Sequence, residues 1–443
     1  MKNLFLFCFL TLFLSFSCST PSPQNKTDIN VTPLAENDIP TSKALPKGMK
    51  LVWNDEFNGD RLDTAKWFTD YYSTLDYVYE TNFDDFKTGN LPQPEIEFTG
   101  NSIILKVDEN KPARAFWPNG RKISSIQTYD WKSDRNKMDN AVGGYFEARI
   151  KRNAVDSAKN VNIAFWFDSP GPDPRYFVEK GNNALGVEGI RPRGQVFEID
   201  MCEYITTEIV LHGNVSPEGR FERNIGHHIV QGDFRDKWVT HSMLWTPAGL
   251  KFYIDGELVR EWWDANDIKS PNHLMNMFFG SYGNDGTVTM EVDYVRYYQW
   301  DLEENNLLPN GNFEYEGNLF PWEGTGKIMQ NTVHGGKYAL ELAPGDSVIQ
   351  YVYLDHSLPY TFSYYGKGEG SVVAQIENIE QVTGISKNII KKTANMNADY
   401  EKYEMDFQTS PEYGNHKRTV KATFRNNGDK PVTLDDIKIE KKQ

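Results

Sequence analysis

Between residues 49 and 300 the chain is a succession of short runs in which apolar and polar residues change place at every second position. They fall at 102–107, 144–150, 161–167, 197–204, 209–215, 239–245, 250–254 and 287–298, with Gly, Asn, Asp and Pro gathered between them. A period of two marks a strand with one face buried, because successive side chains leave a pleated backbone on opposite sides. Few windows keep a helical period; 261–268 is the best short candidate, and 62–67 reads as a helical turn carrying a docked Trp67. Asp255-Gly256 separates two runs by residues that tolerate positive φ, which predicts a tight hairpin. The pattern predicts an all-β chain whose strands form a sandwich or barrel.

The rhythm breaks at 168–195, which carries Pro170-Gly171-Pro172-Asp173-Pro174 at one end and Arg191-Pro192-Arg193-Gly194 at the other. Loops this long in a compact domain are as a rule functional, so this one is expected to wall a site. A polar junction at 301–306 introduces a second strand-rich region, expected to be a separate, smaller β-sandwich. At the N-terminus, Met1-Lys2-Asn3, an apolar run over 4–16 and Ser17-Cys18-Ser19-Thr20 have the form of a secretory signal. The small residue before Cys18 resembles a bacterial lipoprotein processing site, although Phe16 stands where a smaller residue is usual. The expected order is a signal over 1–18, a flexible tether over 19–46, a first domain over 47–301 and a second over 302–443. Such a chain is expected in a bacterial cell envelope, lipid-anchored through Cys18, or secreted.

The run at 197–204 departs from its own alternation. Glu198, Asp200 and Glu203 stand in a stretch otherwise filled by Phe, Ile, Met and Cys. Alternation places Glu198 and Asp200 on one face and Phe197, Ile199 and Met201 on the other, and gives Glu203 the wrong parity. One extra residue at Met201-Cys202, a β-bulge, rotates Glu203 onto the face of the other acids. Crowded carboxylates repel, and one is pushed toward its neutral form. Two acids in opposite protonation states, with a third between them, can serve as nucleophile and acid/base.

Composition acts mainly by exclusion. A net charge of −15 over 443 residues argues against nucleic acid and anionic membrane surfaces as partners, leaving the lipid as the membrane link. Aromatics at 14%, with 11 Trp and 23 Tyr, suit stacking surfaces. Of the cysteines, Cys8 lies in the signal and Cys18 at its end, so Cys202 has no internal partner and stability must come from the core. No His/Cys cluster has zinc spacing. A tethered chain with an acidic surface is expected to be a monomer.

The hexapeptide Glu198-Ile199-Asp200-Met201-Cys202-Glu203 resembles the Glu-x-Asp-x-x-Glu signature of family 16 glycoside hydrolases, retaining endo-β-glycanases on a β-jelly-roll. Five further blocks follow the family's order over about 48–300. They are Trp53-Asn54-Asp55-Glu56-Phe57, Gly144-Tyr145-Phe146-Glu147-Ala148-Arg149-Ile150-Lys151, Ala164-Phe165-Trp166, Trp245-Thr246-Pro247 with the hairpin at Asp255-Gly256, and Val292-Asp293-Tyr294-Val295-Arg296-Tyr297-Tyr298. The resemblance implies Glu198 as nucleophile, Glu203 as general acid/base and Asp200 between them, orienting Glu198 and helping to set its protonation. It implies a polysaccharide substrate, with Trp166 as a sugar platform and His212 near the acid/base. Trp131, Trp117, Tyr129 and Arg114 lie on segments that could reach the cleft. No cofactor is implied for the chemistry, but a structural calcium is implied at Glu56, the Gly100 carbonyl and Asp293.

The chain departs from the laminarinase-like pattern in two places. Asn162-Ile163 replaces the Trp-Pro that usually precedes Ala-Phe-Trp, and the 168–195 loop is longer, with Arg175, Arg191 and Arg193. Arginine forks bind anionic oxygens bidentately, which tilts the expectation from β-1,3-glucan to a β-galactan, sulfated algal galactans included. In the second region, Asn310-Gly311-Asn312-Phe313-Glu314 and Leu434-Asp435-Asp436-Ile437 resemble carbohydrate-binding modules of the family 4 and 9 type. That likeness implies a platform among Trp322, Tyr351, Tyr364 and Tyr365, and a second calcium between Glu314 and Asp436. Transglycosylation, and a glycan-binding lipoprotein without catalysis, are the rival readings.

Overall fold

The computed structural model describes residues 42–73, 83–113, 121–170, 195–214, 221–265, 267–379, 386–412 and 415–442. Every run read from the alternation forms a strand. The Asp255-Gly256 turn has φ of 50° and 84° and sets Ile254 directly opposite Glu257. Residues 62–67 close a turn in which the Lys66 and Trp67 amides both reach the Asp63 carbonyl, and Trp67 is buried. Among the described residues of 261–268 no helix is formed. Glu257–Trp262 is a strand paired along Gly249–Ile254, so the ladder set by the hairpin overrides a weak local period. A helix absent from the sequence reading, Phe83–Thr88, buries Phe86.

Two sheets stack in the first region. Six strands form the one that carries the acids: β1 (Lys122–Gln127), β2 (Asn162–Asp168), β3 (Val196–Glu203), β4 (Thr207–Asn214), β5 (Phe221–Val230) and β6 (Asn276–Gly283). Their order across the sheet is β5-β4-β3-β2-β6-β1. The backing sheet has eight strands, with Gly144–Ala154 and Val288–Trp300 at its centre. Between the sheets, Phe165, Phe167, Ile199, Leu211 and Phe279 meet Phe146, Ile150, Trp245, Val292 and Tyr297 in one continuous core. Each such side chain contributes roughly 1.5–3 kcal/mol by leaving water. The sandwich is thus held from one side of the six-stranded sheet, which frees the other side for polar chemistry.

The region after residue 301 forms two five-stranded sheets around a separate core. Trp322 and Tyr364 belong to that core, at 2% and 1% exposed, and so cannot be sugar platforms. Tyr365 has a face covered by His334, with ring centroids 3.6 Å apart; Tyr351 remains half-buried. The two regions are joined by packed contacts. Trp300 stacks on Tyr315 at 5.8 Å, Asn272 exchanges two hydrogen bonds with the Lys417 backbone, and His273 stacks on His416 at 4.3 Å.

Candidate active site

The ladder around β3 locates the acids. On β4, Glu208, Val210 and His212 are alternate residues and share one face, and their directly opposed partners on β3 are Glu203, Asp200 and Glu198. Two steps along β4 therefore match three along β3 between Asp200 and Glu203. On the other side, Trp166 faces Asp200 while the next pair is Phe165 with Cys202, again leaving Met201 over. The extra residue is the bulge that Glu203's parity demands, and it brings all three acids to the face away from the core. Met201 and Cys202 both turn into the core. A second irregularity, between His212 and Gly213, opposes Gly213 to Val196. Val196 thereby takes the core position expected of Phe197, which is buried outside that cluster.

The turn after Glu203 is pinned from below. Tyr204 adopts φ of 58°, and Arg152, reaching through from the backing sheet, donates to the Glu203 and Tyr204 carbonyls and to the Thr207 hydroxyl. Glu203 Oε1 accepts a hydrogen bond from Asn162 Nδ2 at 2.7 Å. His212 Nε2 lies 3.4 Å from Asp200 Oδ2, so the histidine expected beside the acid/base sits against the middle acid.

Burial dominates the electrostatics. Glu198 and Asp200 are 6% and 2% exposed, and Asp168, opposite Glu198 on β2, is fully buried. Burial, with the charge of Asp200 next, raises the Glu198 carboxyl well above its ordinary range, against a smaller pull from His212. Asp200 is raised likewise by burial and then by Glu203 and Asp168. Glu203 is raised by burial, countered by the Asn162 hydrogen bond and His212. Glu198 Oε2 and Asp200 Oδ2 are buried without a hydrogen-bond partner among the described residues. Buried acceptors without donors are costly, and mark a place where a ligand or a transferable proton completes the bonding.

Other expected site residues are placed differently. Trp166 shares the face of the acids, but its ring lies flat on Phe278 at 4.1 Å and Nε1 donates to Tyr282 Oη at 3.2 Å. At 6% exposed it is buried beside the acids and does not form an open platform. Trp131 and Tyr129 are buried with Tyr72, Phe86 and Leu91 in an aromatic cluster that contains none of the acids, so Trp131 is a packing residue. Arg114, Trp117, Arg175, Arg191, Arg193 and Cys18 lie outside the described residues. The sequence reading missed Asp168 and Asn162 as members of the site. The signal for Asp168 was its shared parity with Trp166; Asn162 was noticed only as a departure from a family pattern.

The expected calcium ligands are engaged otherwise. Glu56 takes the Arg296 guanidinium on both oxygens, at 2.9 and 2.7 Å, and Asp293 pairs with Arg149. The arginine fork on Glu56 and the Arg149 contact on Asp293 each oppose a further cation, so these two side chains do not fit as calcium ligands in this arrangement. Glu314 accepts from the Lys337 and Tyr338 amides, and Asp436 pairs with His334 Nδ1, which accounts for both acids without a cation. Glu198, Asp200 and His212 bring ligand-type atoms within 4.8 Å of one another, a grouping that carboxylate chemistry explains.

Comparison with known proteins follows this geometry. Residues 188–299 match the model of Glycosyl hydrolases family 16. The chain is 24% identical over 320 residues to Glucan endo-1,3-beta-glucosidase A1 of Niallia circulans, covering 63% of this chain and 41% of that relative. It thus spans less than half the length of that protein. Among solved structures it is similar to a GlcNAcα1-4Gal-releasing endo-β-galactosidase from Clostridium perfringens, with 21% identity, TM-score 0.42 and coverage of 70% of this chain and 79% of that one. It is also similar to a laminarinase from Flavobacterium sp. UMI-01, with 18% identity, TM-score 0.38 and coverage of 56% and 100%.

Proposed function

We propose that this chain, a family 16 glycosyl hydrolase, is an endo-acting glycanase that cleaves internal β-glycosidic bonds of a polysaccharide with retention. The observation that carries the reading is the bulge at Met201-Cys202, which delivers Glu198, Asp200 and Glu203 to one face of the sheet, away from the core. In the first step a Glu198 carboxylate oxygen bonds to the anomeric carbon, the electron pair of the breaking C–O bond passes to the leaving oxygen, and Glu203 gives that oxygen its proton. In the second, Glu203 takes a proton from water, the water oxygen bonds to the anomeric carbon, and Glu198 is released. Burial, Glu203 and Asp168 oppose the charge of Glu198 and Asp200 alike, and His212 pulls only on Glu198, so Asp200 is read as the acid that stays neutral while Glu198 is ionised. His212 favours the ionised form of Glu198 from the next strand.

For the substrate, the reading is a β-galactan in preference to β-1,3-glucan. It rests on the two departures from the laminarinase-like pattern together, Asn162-Ile163 and the longer 168–195 loop with Arg175, Arg191 and Arg193. The relative's glucanase name supports laminarin as the second reading. The chain is read as monomeric and, through Cys18, attached to the envelope by lipid. A panel of laminarin, mixed-linkage glucan, agarose, porphyran, carrageenan and mucin glycans, scored for new reducing ends, tests this. Release from one or more galactans is expected; release from laminarin alone would overturn the galactan preference, and release from none would overturn the glycanase reading.

A further inference from the structure

Hydrogen bonding between β2 and β3 ends at the bulge, where Phe165 opposite Cys202 is the last pair. Beyond it a side chain continues the connection. Asn162, held opposite Tyr282 of β6, accepts the Tyr204 N–H on Oδ1 at 3.1 Å and donates through Nδ2 to Glu203 Oε1 at 2.7 Å. Using both ends fixes the amide's orientation, because a flipped amide would set its carbonyl against the carboxylate and its NH2 against a backbone N–H.

We propose that Asn162 is a positioning residue for Glu203, keeping Oε1 as an acceptor so that the proton for the leaving group is carried on Oε2. The proposal rests on the reading of Glu203 as acid/base. With Oε1 accepting from Asn162, Oε2 is the oxygen left to hold and deliver a proton. The bond also favours the ionised carboxyl, the form needed for the second step, and so opposes the rise caused by burial. Other groups facing Glu203 carry or can acquire charge: Glu198, Asp200 and Tyr204 on its own strand and turn, Glu208 and His212 on β4, Arg121 just before β1, and Tyr282 on β6. Asn162 is neutral, so its removal alters the proton affinity of Glu203 without changing the charge of the cleft.

The test follows the Glu203 carboxyl by 13C NMR across pH, its signal assigned by loss in Glu203→Gln, alongside the pH dependence of kcat/KM on whichever polysaccharide releases reducing ends. In Asn162→Ala the titration midpoint should move to higher pH, and the alkaline limb of the rate profile should move with it while the acidic limb stays. Turnover should fall about tenfold to a hundredfold, the scale of one charge-assisted hydrogen bond. Asn162→Asp can still accept from Tyr204 but replaces the donor with a charge, so its midpoint should rise further. An unmoved midpoint in both variants overturns the proposal. A moved midpoint with full turnover by Glu203→Gln would instead overturn the acid/base reading, leaving the bond between the two residues established.

Discussion

Glu198→Gln and Glu203→Gln should each lower turnover by on the order of 10⁴-fold or more, with circular dichroism and solubility unchanged. Both replacements keep side-chain volume, so Trp166 keeps its packing on Phe278. What is lost differs. An amide at 198 cannot form the covalent bond to the anomeric carbon, so every substrate fails alike. An amide at 203 cannot give or take a proton, so the deficit in the first step shrinks when the leaving group departs without protonation. Comparing the native glycan with a glycoside of the same sugar bearing a dinitrophenyl group therefore separates the roles. Equal losses on both substrates in the two variants would contradict the assignment, as would normal turnover in either.

Asp200→Asn should make the protein more stable and less active. Burial, Glu203 and Asp168 raise the Asp200 carboxyl above its unfolded value, so the folded state favours the protonated form. The stability this group contributes is complete below the unfolded pKa, near 4 for an aspartate, and is lost as pH rises through the folded value. At pH 7 the side chain weakens the fold whenever it is ionised, and an asparagine of nearly the same shape escapes that penalty. The variant should melt higher by a few °C at pH 7, since each kcal/mol shifts a large domain by about 2–4 °C. The advantage should fade toward pH 4. Activity should drop on the order of 10²-fold, because an amide cannot exchange a proton with Glu198 or Glu203. Melting curves of the two proteins from pH 4 to pH 8 check this; a constant or negative difference would show that folding does not raise the Asp200 carboxyl. Such a gain in stability at the expense of rate is the usual signature of strain held at a functional site.

The acids were legible in the sequence because the cues are local. Alternation over 197–204 exposed Glu203's parity fault, and a strand has few ways to correct one. The remainder depends on pairing between segments far apart in the chain. Ala-Phe-Trp-Phe shows that Trp166 alternates with the core, but not that Phe278, more than a hundred residues later, covers its ring. Trp131 and Trp322 looked available for sugar because aromatics between turn residues do; each has a partner cluster that sequence spacing does not reveal. Glu56 read as a metal ligand until Arg296 was found across the ladder, since an acid gives no local hint of which cation it meets. Asn162 acquires its role only once the bulge ends the backbone ladder beside it.

The central claim is that Glu198 and Glu203 act by double displacement through a covalent glycosyl-enzyme. Its most direct test is the configuration of the first product. When a susceptible polysaccharide is digested in D2O and followed by 1H NMR from the first minutes, the new reducing ends should appear as the β-anomer, with the α signal growing later by mutarotation. A reducing end that appears first as the α-anomer would mean a single displacement by water, and would contradict a nucleophilic Glu198.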